Sequence, residues 1–286
     1  MTLQPIRDVS ETALMVAMWR AAENTQPNPL YRDPLALKLA GDRGSEIIKG
    51  IPRADMCCWG MAIRTRIIDD LIRDAVASGV DLVLNLGAGL DTRPYRMELP
   101  ANLHWVEVDR AEIIEMKERR LIGEKPVCKL ERVACDLADA AARRTLLASV
   151  KAKSGTALVL TEGVIYYLSE YEVGTLASDL HEYPCFRYWI TEYDSPALAK
   201  YRQANSKKWR MENAPFKFAP NDYFGFFRSR GWQAKAVHYR DEAAKHFKRP
   251  PPVLVRIAST ISGLLLSSDM REQRKKSMAH VLFERF

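Results

Sequence analysis

From residue 80 to residue 195, short apolar runs alternate with stretches whose apolar positions recur every three or four residues. "DLVLNLG" leads into a turn and a short helix. "LHWVEVD" is followed by "RAEIIEMKERRL", "KLERVACDL" by "AAARRTLLASVKA", and "TALVLTEG" by "SEYEVGTLASDLHE". The runs have the length of strands, and the stretches between them have the period of helices. The last of these helices opens with a capping box, Ser169 with Glu172 three residues on. "FRYWITEYD" follows, then a long helical and loop insertion, "GWQAKAVHYR", and "MAHVLFERF" as a terminal strand. Ahead of the alternation, residues 10–50 read as helical but are broken by the loop "TQPNPLYRDP", and residues 54–78 form a stronger helix. No repeat or low-complexity tract interrupts the series. Strands separated by helices of ten or more residues build an α/β fold, a mostly parallel sheet wound on both faces.

The expected organisation is one domain in four parts. Residues 1–78 form an N-terminal helical cap, 79–194 a cofactor-binding core, 195–230 a lid insertion, and 231–286 complete the sheet. In a doubly wound sheet the ligand lies beyond the carboxyl ends of the strands. Those ends are Gly87–Asp91, Asp109, Asp136, Glu162 and Glu192–Asp194, and four of the five carry a carboxylate at or just past the last strand residue. Acidic residues also cap helices that follow strands. That explains any one of them better than all of them together.

Composition places few further bounds. With 47% hydrophobic and 28% charged residues, the chain reads as an ordinary soluble globular protein. "MTLQPIRDVSETALM" lacks a basic start followed by an apolar segment, and "ISGLLLSS" is far too short to span a bilayer, so a cytoplasmic location and no membrane partner are expected. Five cysteines without paired metal-type spacing read as reduced thiols, and no metal is expected. The net charge of +7 is uneven: residues 1–195 hold 24 Lys+Arg against 29 Asp+Glu, residues 196–286 hold 19 against 7. The basic third suits a solvated surface or attraction for an acidic small substrate. Its charges are scattered and no RNA-binding motif accompanies them, so nucleic acid is not expected.

The chemistry concentrates in "LVLNLGAGLDTRPYR". A dinucleotide site calls for G-x-G-x-x-G/A, with the third small residue admitting a pyrophosphate. Here Gly87, Ala88 and Gly89 are followed by Leu90, Asp91 and Thr92. An acid beside a pyrophosphate repels it, whereas S-adenosylmethionine carries no phosphate but does carry an ammonium and a sulfonium. Asp109 suits either cofactor, because both present a ribose diol. The missing third glycine leans the reading to S-adenosylmethionine, with Gly87 and Gly89 admitting its methionyl part where a Cβ would clash. The methionyl carboxylate needs a cation. The apolar stripe of the helix over 54–78 runs through Gly60, Ile63, Ile67, Ile68, Leu71, Ile72 and Ala75, and Arg64 lies three and four residues from Ile67 and Ile68. Arg64 therefore points inward, as a carboxylate clamp or an internal salt bridge, while Arg66 faces Asp69 and Asp70 as a surface ion pair.

"RTRIIDDLI", "LVLNLGAGLDTRPYR", "HWVEVDR", "ACDL" and "TEGVIYYL" stand in the order and spacing of the leucine carboxyl methyltransferase superfamily, and resemble most closely its bacterial polyketide-type O-methyltransferase branch. "APFKFAPNDYFGFFRSRGW" is similar to a block of that branch, and the resemblance covers about residues 10–240. It implies a class I fold with a mostly parallel seven-stranded sheet, binding S-adenosyl-L-methionine. It also implies roles: Arg64 on the methionyl carboxylate, Gly87 lining the methionine site, Asp109 at the ribose hydroxyls, Asp136 and Leu137 beside the adenine, Glu162 near the methyl donor; Ala88, Gly89 and Arg110 are expected among the cofactor-binding residues. A lysine near the N-terminus of the eukaryotic carboxyl methyltransferases aligns with Asn28, which argues against a phosphatase-type protein substrate.

The expected reaction is methyl transfer to a carboxylate or phenolic hydroxyl of a small acceptor, acidic or aromatic. Carboxyl methylation of a protein C-terminus, a nicotinamide-dependent oxidoreductase and an RNA-modifying or regulatory protein are the alternatives. No residue announces itself as a base. Tyr166 and Tyr167, His238 and His246 are the weak candidates; His104, His181 and His280 rank lower. The lid insertion carries Tyr201, Trp209, Phe216, Phe218, Tyr223, Phe226 and Phe227 among Lys and Arg. These aromatics either face the acceptor or bury one another.

Overall fold

The computed structural model describes residues 9–49, 51, 53–205, 215–253, 255–256 and 267–286. Its strands are β1 (Leu82–Leu86), β2 (His104–Asp109), β3 (Lys129–Ala134), β4 (Ala157–Thr161), β5 (Phe186–Asp194), β6 (Trp232–Tyr239) and β7 (Met278–Arg285). They form one seven-stranded sheet in the order β3-β2-β1-β4-β5-β7-β6. β1 to β5 run parallel, and β7 lies antiparallel between β5 and β6. β1 and β4 are buried at every position because helices cover both faces. Strand order reverses between them, which opens the ligand crevice at their carboxyl ends.

Helix α3 (Ala54–Ala77) covers one face, with Ile63, Ile67, Ile68 and Ile72 against Val83, Trp105, Leu158 and Ile190. The other face, through Leu82, Leu84 and Leu86, packs on α6 (Ala140–Lys151) and α7 (Glu170–His181). The two clusters take alternate residues of β1, as the pleat requires. α7 has the expected capping box at Ser169 and Glu172. Helices α1 (Val9–Ala21) and α2 (Ala36–Lys49) form a third cluster that includes Leu90 of the turn after β1. The short helix α4 (Arg93–Arg96) follows that turn, and α5 (Ala111–Arg120) follows β2.

The aromatic stretch expected as a lid divides. After α8 (Pro196–Ala204), residues 206–214, Trp209 included, lie outside the described residues. Tyr201 is exposed. Phe218, and Tyr223 and Phe227 of α9 (Tyr223–Arg228), instead belong to the core beneath the sheet. Phe227 is fully buried, its ring centroid 4.6 Å from that of Phe283 and 5.2 Å from that of Trp189. A ring placed there is core, not lid. Phe227→Ala is accordingly expected to lower stability by about 3–5 kcal/mol in urea unfolding, whereas a ring serving only as a lid would leave the midpoint nearly unmoved.

Candidate active site

At the end of β1 the backbone turns through Gly87 and Gly89, at φ +68° and +48°, where a side chain is strained. The amides of Gly87 and Ala88 both donate to the carbonyl of Val108, at 2.8 and 2.9 Å, and tie the turn to β2. Asp109, one residue on, accepts from the Gly89 amide at 2.6 Å and the Arg110 amide at 2.8 Å. Burial raises its pKa, against the pull of these two amides. A Cβ at Gly87 would overlap Cγ2 of Val164, so the loop after β4 already requires a glycine there. Gly89 faces Ala13 of α1, which covers the turn.

Beneath the turn lies a lattice of buried ions. Arg93, 2% exposed, donates to Asp69 of α3 at 2.7 Å, to Asp91 at 2.7 Å and to Glu162 past β4 at 2.6 Å. Arg96 donates to both oxygens of Asp69, at 2.7 and 2.9 Å. Arg20 of α1 donates to Asp33 at 2.9 Å and to the carbonyl of Leu90 at 2.5 Å, which locks the cap to the glycine turn. Two readings change here. Asp91 does not face a ligand ammonium: it is buried and engaged by Arg93 and by the Asn85 amide at 2.9 Å. Arg66 pairs with Asp70, as expected, but not with Asp69, which is buried beneath α4.

Arg64 points inward to the ends of β4 and β5. Its Nε donates to Glu162 Oε1 at 2.7 Å, and its Nη2 lies 3.1 Å from Glu192 Oε1. Its side chain keeps 19% exposure, so the group is not sealed as Arg93 is. Burial works against the charge on Glu162, but Arg93 and Arg64 outweigh it and hold the carboxyl well below the usual range. Glu192 goes the other way: burial, with Glu162 nearby and Arg64 only partly opposing, pushes its pKa up to about 7. Its Oε1 accepts from the Gly163 amide, and its Oε2 is buried without a hydrogen-bond partner among the described residues.

The base candidates scatter. The Tyr166 hydroxyl donates to Asp194 at 3.2 Å, and burial beside that carboxylate lifts its pKa well above the ordinary value, so it is a donor at neutral pH. Tyr167 stacks on Phe216 at 5.7 Å. His238 and His246 line one cavity of about 340 Å³ between α3, β6 and α10 (Arg240–His246), a cavity sharing no lining residue with the glycine turn or Arg64. His280, buried mid-strand in β7, is pushed down to about 3 by burial and by Arg64, so it is neutral. Asp136 accepts from the Ala138 amide at 2.9 Å, and the carbonyl of Leu137 accepts from Arg143 at 2.7 Å. Among the described residues no three His, Cys, Asp or Glu group as metal ligands, and no helix is long and apolar enough to cross a membrane.

Residues 13–181, more than half of the chain, match the family model described as leucine carboxyl methyltransferase. The chain belongs to that family. A Frankia alni protein whose name describes an S-adenosyl-L-methionine-dependent methyltransferase is 33% identical over 82% of this chain and 86% of its own length. A Mycolicibacterium smegmatis protein of the same description is 29% identical over 95% and 93%. Among solved structures, a Thermobifida fusca protein named as a methyltransferase has a TM-score of 0.58 at 14% identity, covering 99% of this chain and 96% of that one, a likeness of fold. The family member described here is an S-adenosylmethionine-dependent methyltransferase, which ends the nicotinamide alternative. Its donor set fits that cofactor: a partly exposed guanidinium can meet a carboxylate, and the Asp109 carboxylate, held by two amides, keeps lone pairs for a diol.

Sequence reasoning missed the ion lattice. Its signal was present in two acids and two arginines, Asp69 and Asp91 with Arg93 and Arg96, beside an apolar helix stripe and a buried strand. Arg93→Met removes the cation shared by two buried carboxylates and the nearly buried Glu162. A loss of about 3–5 kcal/mol is expected in denaturant unfolding at pH 7. A loss below about 1 kcal/mol, the range of surface pairs, would contradict the lattice.

Proposed function

We propose that this methyltransferase acts on an oxygen, a carboxylate or phenolic hydroxyl, of a small aromatic or acidic molecule. Arg64 grips the methionyl carboxylate of the donor, Asp109, held by the Arg110 amide, takes the ribose hydroxyls, and Asp136 and Leu137 border the adenine. Gly87, Ala88 and Gly89 form the floor beside the methionyl chain, and Glu162 fixes the orientation of Arg64. The observation that carries this reading is the inward Arg64 guanidinium, held at the ends of β4 and β5 and still partly open.

The bound donor supplies a methyl group on sulfonium, open to direct displacement by an acceptor oxygen. The chain contributes alignment and exclusion of water. α1 closes over the glycine turn through Arg20, and Val164 seals it from the β4 side. A carboxylate acceptor is already ionised at pH 7 and needs no base; a phenol gains from nearby cations. Support for an aromatic, anionic acceptor comes from Tyr166, Tyr167 and Phe216, with the Arg202 guanidinium 5.3 Å from the Tyr166 ring centroid and 5.5 Å from that of Phe216. Carboxyl methylation of a protein C-terminus, the chemistry that the family's description names, is the second reading. Asn28, where eukaryotic members carry lysine, counts against it; its carbonyl accepts from Arg249 at 2.7 Å.

Titration calorimetry with S-adenosylhomocysteine tests the cofactor role. Arg64→Ala is expected to weaken binding more than tenfold, and Arg66→Ala, on the exposed face with Asp70, to change it little. Equal effects would contradict the reading, as would tight binding of NAD in place of S-adenosylhomocysteine. Incubating the enzyme with methyl-labelled S-adenosylmethionine and a panel of aromatic acids, phenols and short peptides identifies the acceptor. Label in the peptides alone would favour the second reading.

A further inference from the structure

Arg64 serves two carboxylates that are not equivalent. Glu162 accepts from Arg64 and also from Arg93, at 2.6 Å, so a second guanidinium holds its charge. Among the described residues Glu192 takes Arg64 and the Gly163 amide on Oε1, and its Oε2 is buried without a hydrogen-bond partner. Among the described residues no other cation pairs with it directly: Arg202 and Arg240 stand farther off, acting on Tyr166, Asp194 and His280. Glu162 and the neutral Tyr166 and Tyr167 face it from the segment after β4. Tyr223 of α9 spends its hydroxyl on the backbone carbonyl of Glu192. Asp194 follows two residues along β5, itself paired with Arg202. On β7 the register partner is His280, neutral by burial, and beyond it on β6 lies His238.

We propose that Glu192 yields Arg64 to the incoming carboxylate of the cofactor and takes up a proton from solvent as it does so, making cofactor binding and neutralisation of this side chain one event. The proposal rests on the reading of Arg64 given above. Three carboxylates around one guanidinium, in a site where Glu192 is 2% exposed, cannot all remain ionised. The one without a second cation is the one that neutralises. The change balances simply: carboxylate and one proton from the buffer become a carboxylic acid, and no bond to carbon forms or breaks. The unpartnered Oε2 is the atom that receives the proton, and as an O–H it becomes a donor where no donor stood. Glu192 is thus a positioning residue, acting through Arg64.

The sign follows from the free state. With a pKa near 7, Glu192 is about half ionised at pH 7. Withdrawing Arg64 and adding a negative charge raises that pKa further, so binding consumes about half a proton at pH 7 and more as pH rises. Affinity therefore falls with pH, by about fivefold between pH 7 and pH 8.

The test is titration of the full chain with S-adenosylhomocysteine, at pH 7 in two buffers of different ionisation enthalpy and at pH 8 in one of them. Uptake of about half a proton is expected, with weakening toward pH 8. Glu192→Gln should still bind, without proton uptake and with affinity flat across this range. Binding with no proton uptake, or uptake unchanged in Glu192→Gln, overturns the proposal and leaves the Arg64 clamp standing. Absence of S-adenosylhomocysteine binding, or binding indifferent to Arg64→Ala, overturns both. If the glutamine variant fails to fold, infrared difference spectra of the wild-type protein decide. A carboxylic acid band must appear on ligand addition, and its absence counts against the proposal.

Discussion

The Arg93 guanidinium joins three parts of the chain that the sheet alone would not align: Asp69 on α3, Asp91 in the turn after β1, and Glu162 past β4. All of these groups are buried or nearly so, and taking such charges out of water costs several kcal/mol each unless they pair well. Apolar residues of similar volume could hold three elements together as firmly. What the ion lattice adds is orientation, because a planar guanidinium with fixed donors accepts its partners in few arrangements. The glycine turn, the end of β4 and the helix carrying Arg64 are therefore set in one geometry by a group that faces no solvent.

That arrangement separates a sealed guanidinium from a partly open one. Arg93 is engaged by three carboxylates, while Arg64, five residues before Asp69 on α3, keeps an edge toward solvent and shares Glu162 with it. Charge density around Glu162 thus holds that carboxyl ionised and leaves the strain of burial on Glu192, whose pKa moves the opposite way. The cap belongs to the same system. Arg20 donates to the carbonyl of Leu90, so α1 is fastened to the turn that it covers, and the sheet and the N-terminal helices meet at the glycine turn.

Much of the fold was legible in the chain because its strands are buried on both faces and so read as unbroken apolar runs. Gly87 and Gly89 marked the turn, and the inward direction of Arg64 followed from its spacing to Ile67 and Ile68. The lattice was not legible, for a physical reason. Arg93 meets Asp69 and Glu162 at separations of 24 and 69 residues, and no local period records such pairings. Asp91 was misread because an acid after a glycine turn suits a ligand and a buried arginine equally well. The role of the aromatics of residues 218–227 stayed open because rings interleaved with Lys and Arg look alike whether they face a substrate or, as Phe227 does, the core.

The central claim is that one guanidinium is structural and its neighbour is free to bind. A crystal structure with S-adenosylhomocysteine bound tests it directly. The account predicts the ligand at the mouth of β1, its carboxylate on Arg64, and the contacts of Arg93 with Asp69, Asp91 and Glu162 unchanged. A ligand carboxylate seated on Arg93, or a ligand bound away from the glycine turn with Arg64 still clasped by both glutamates, would contradict it.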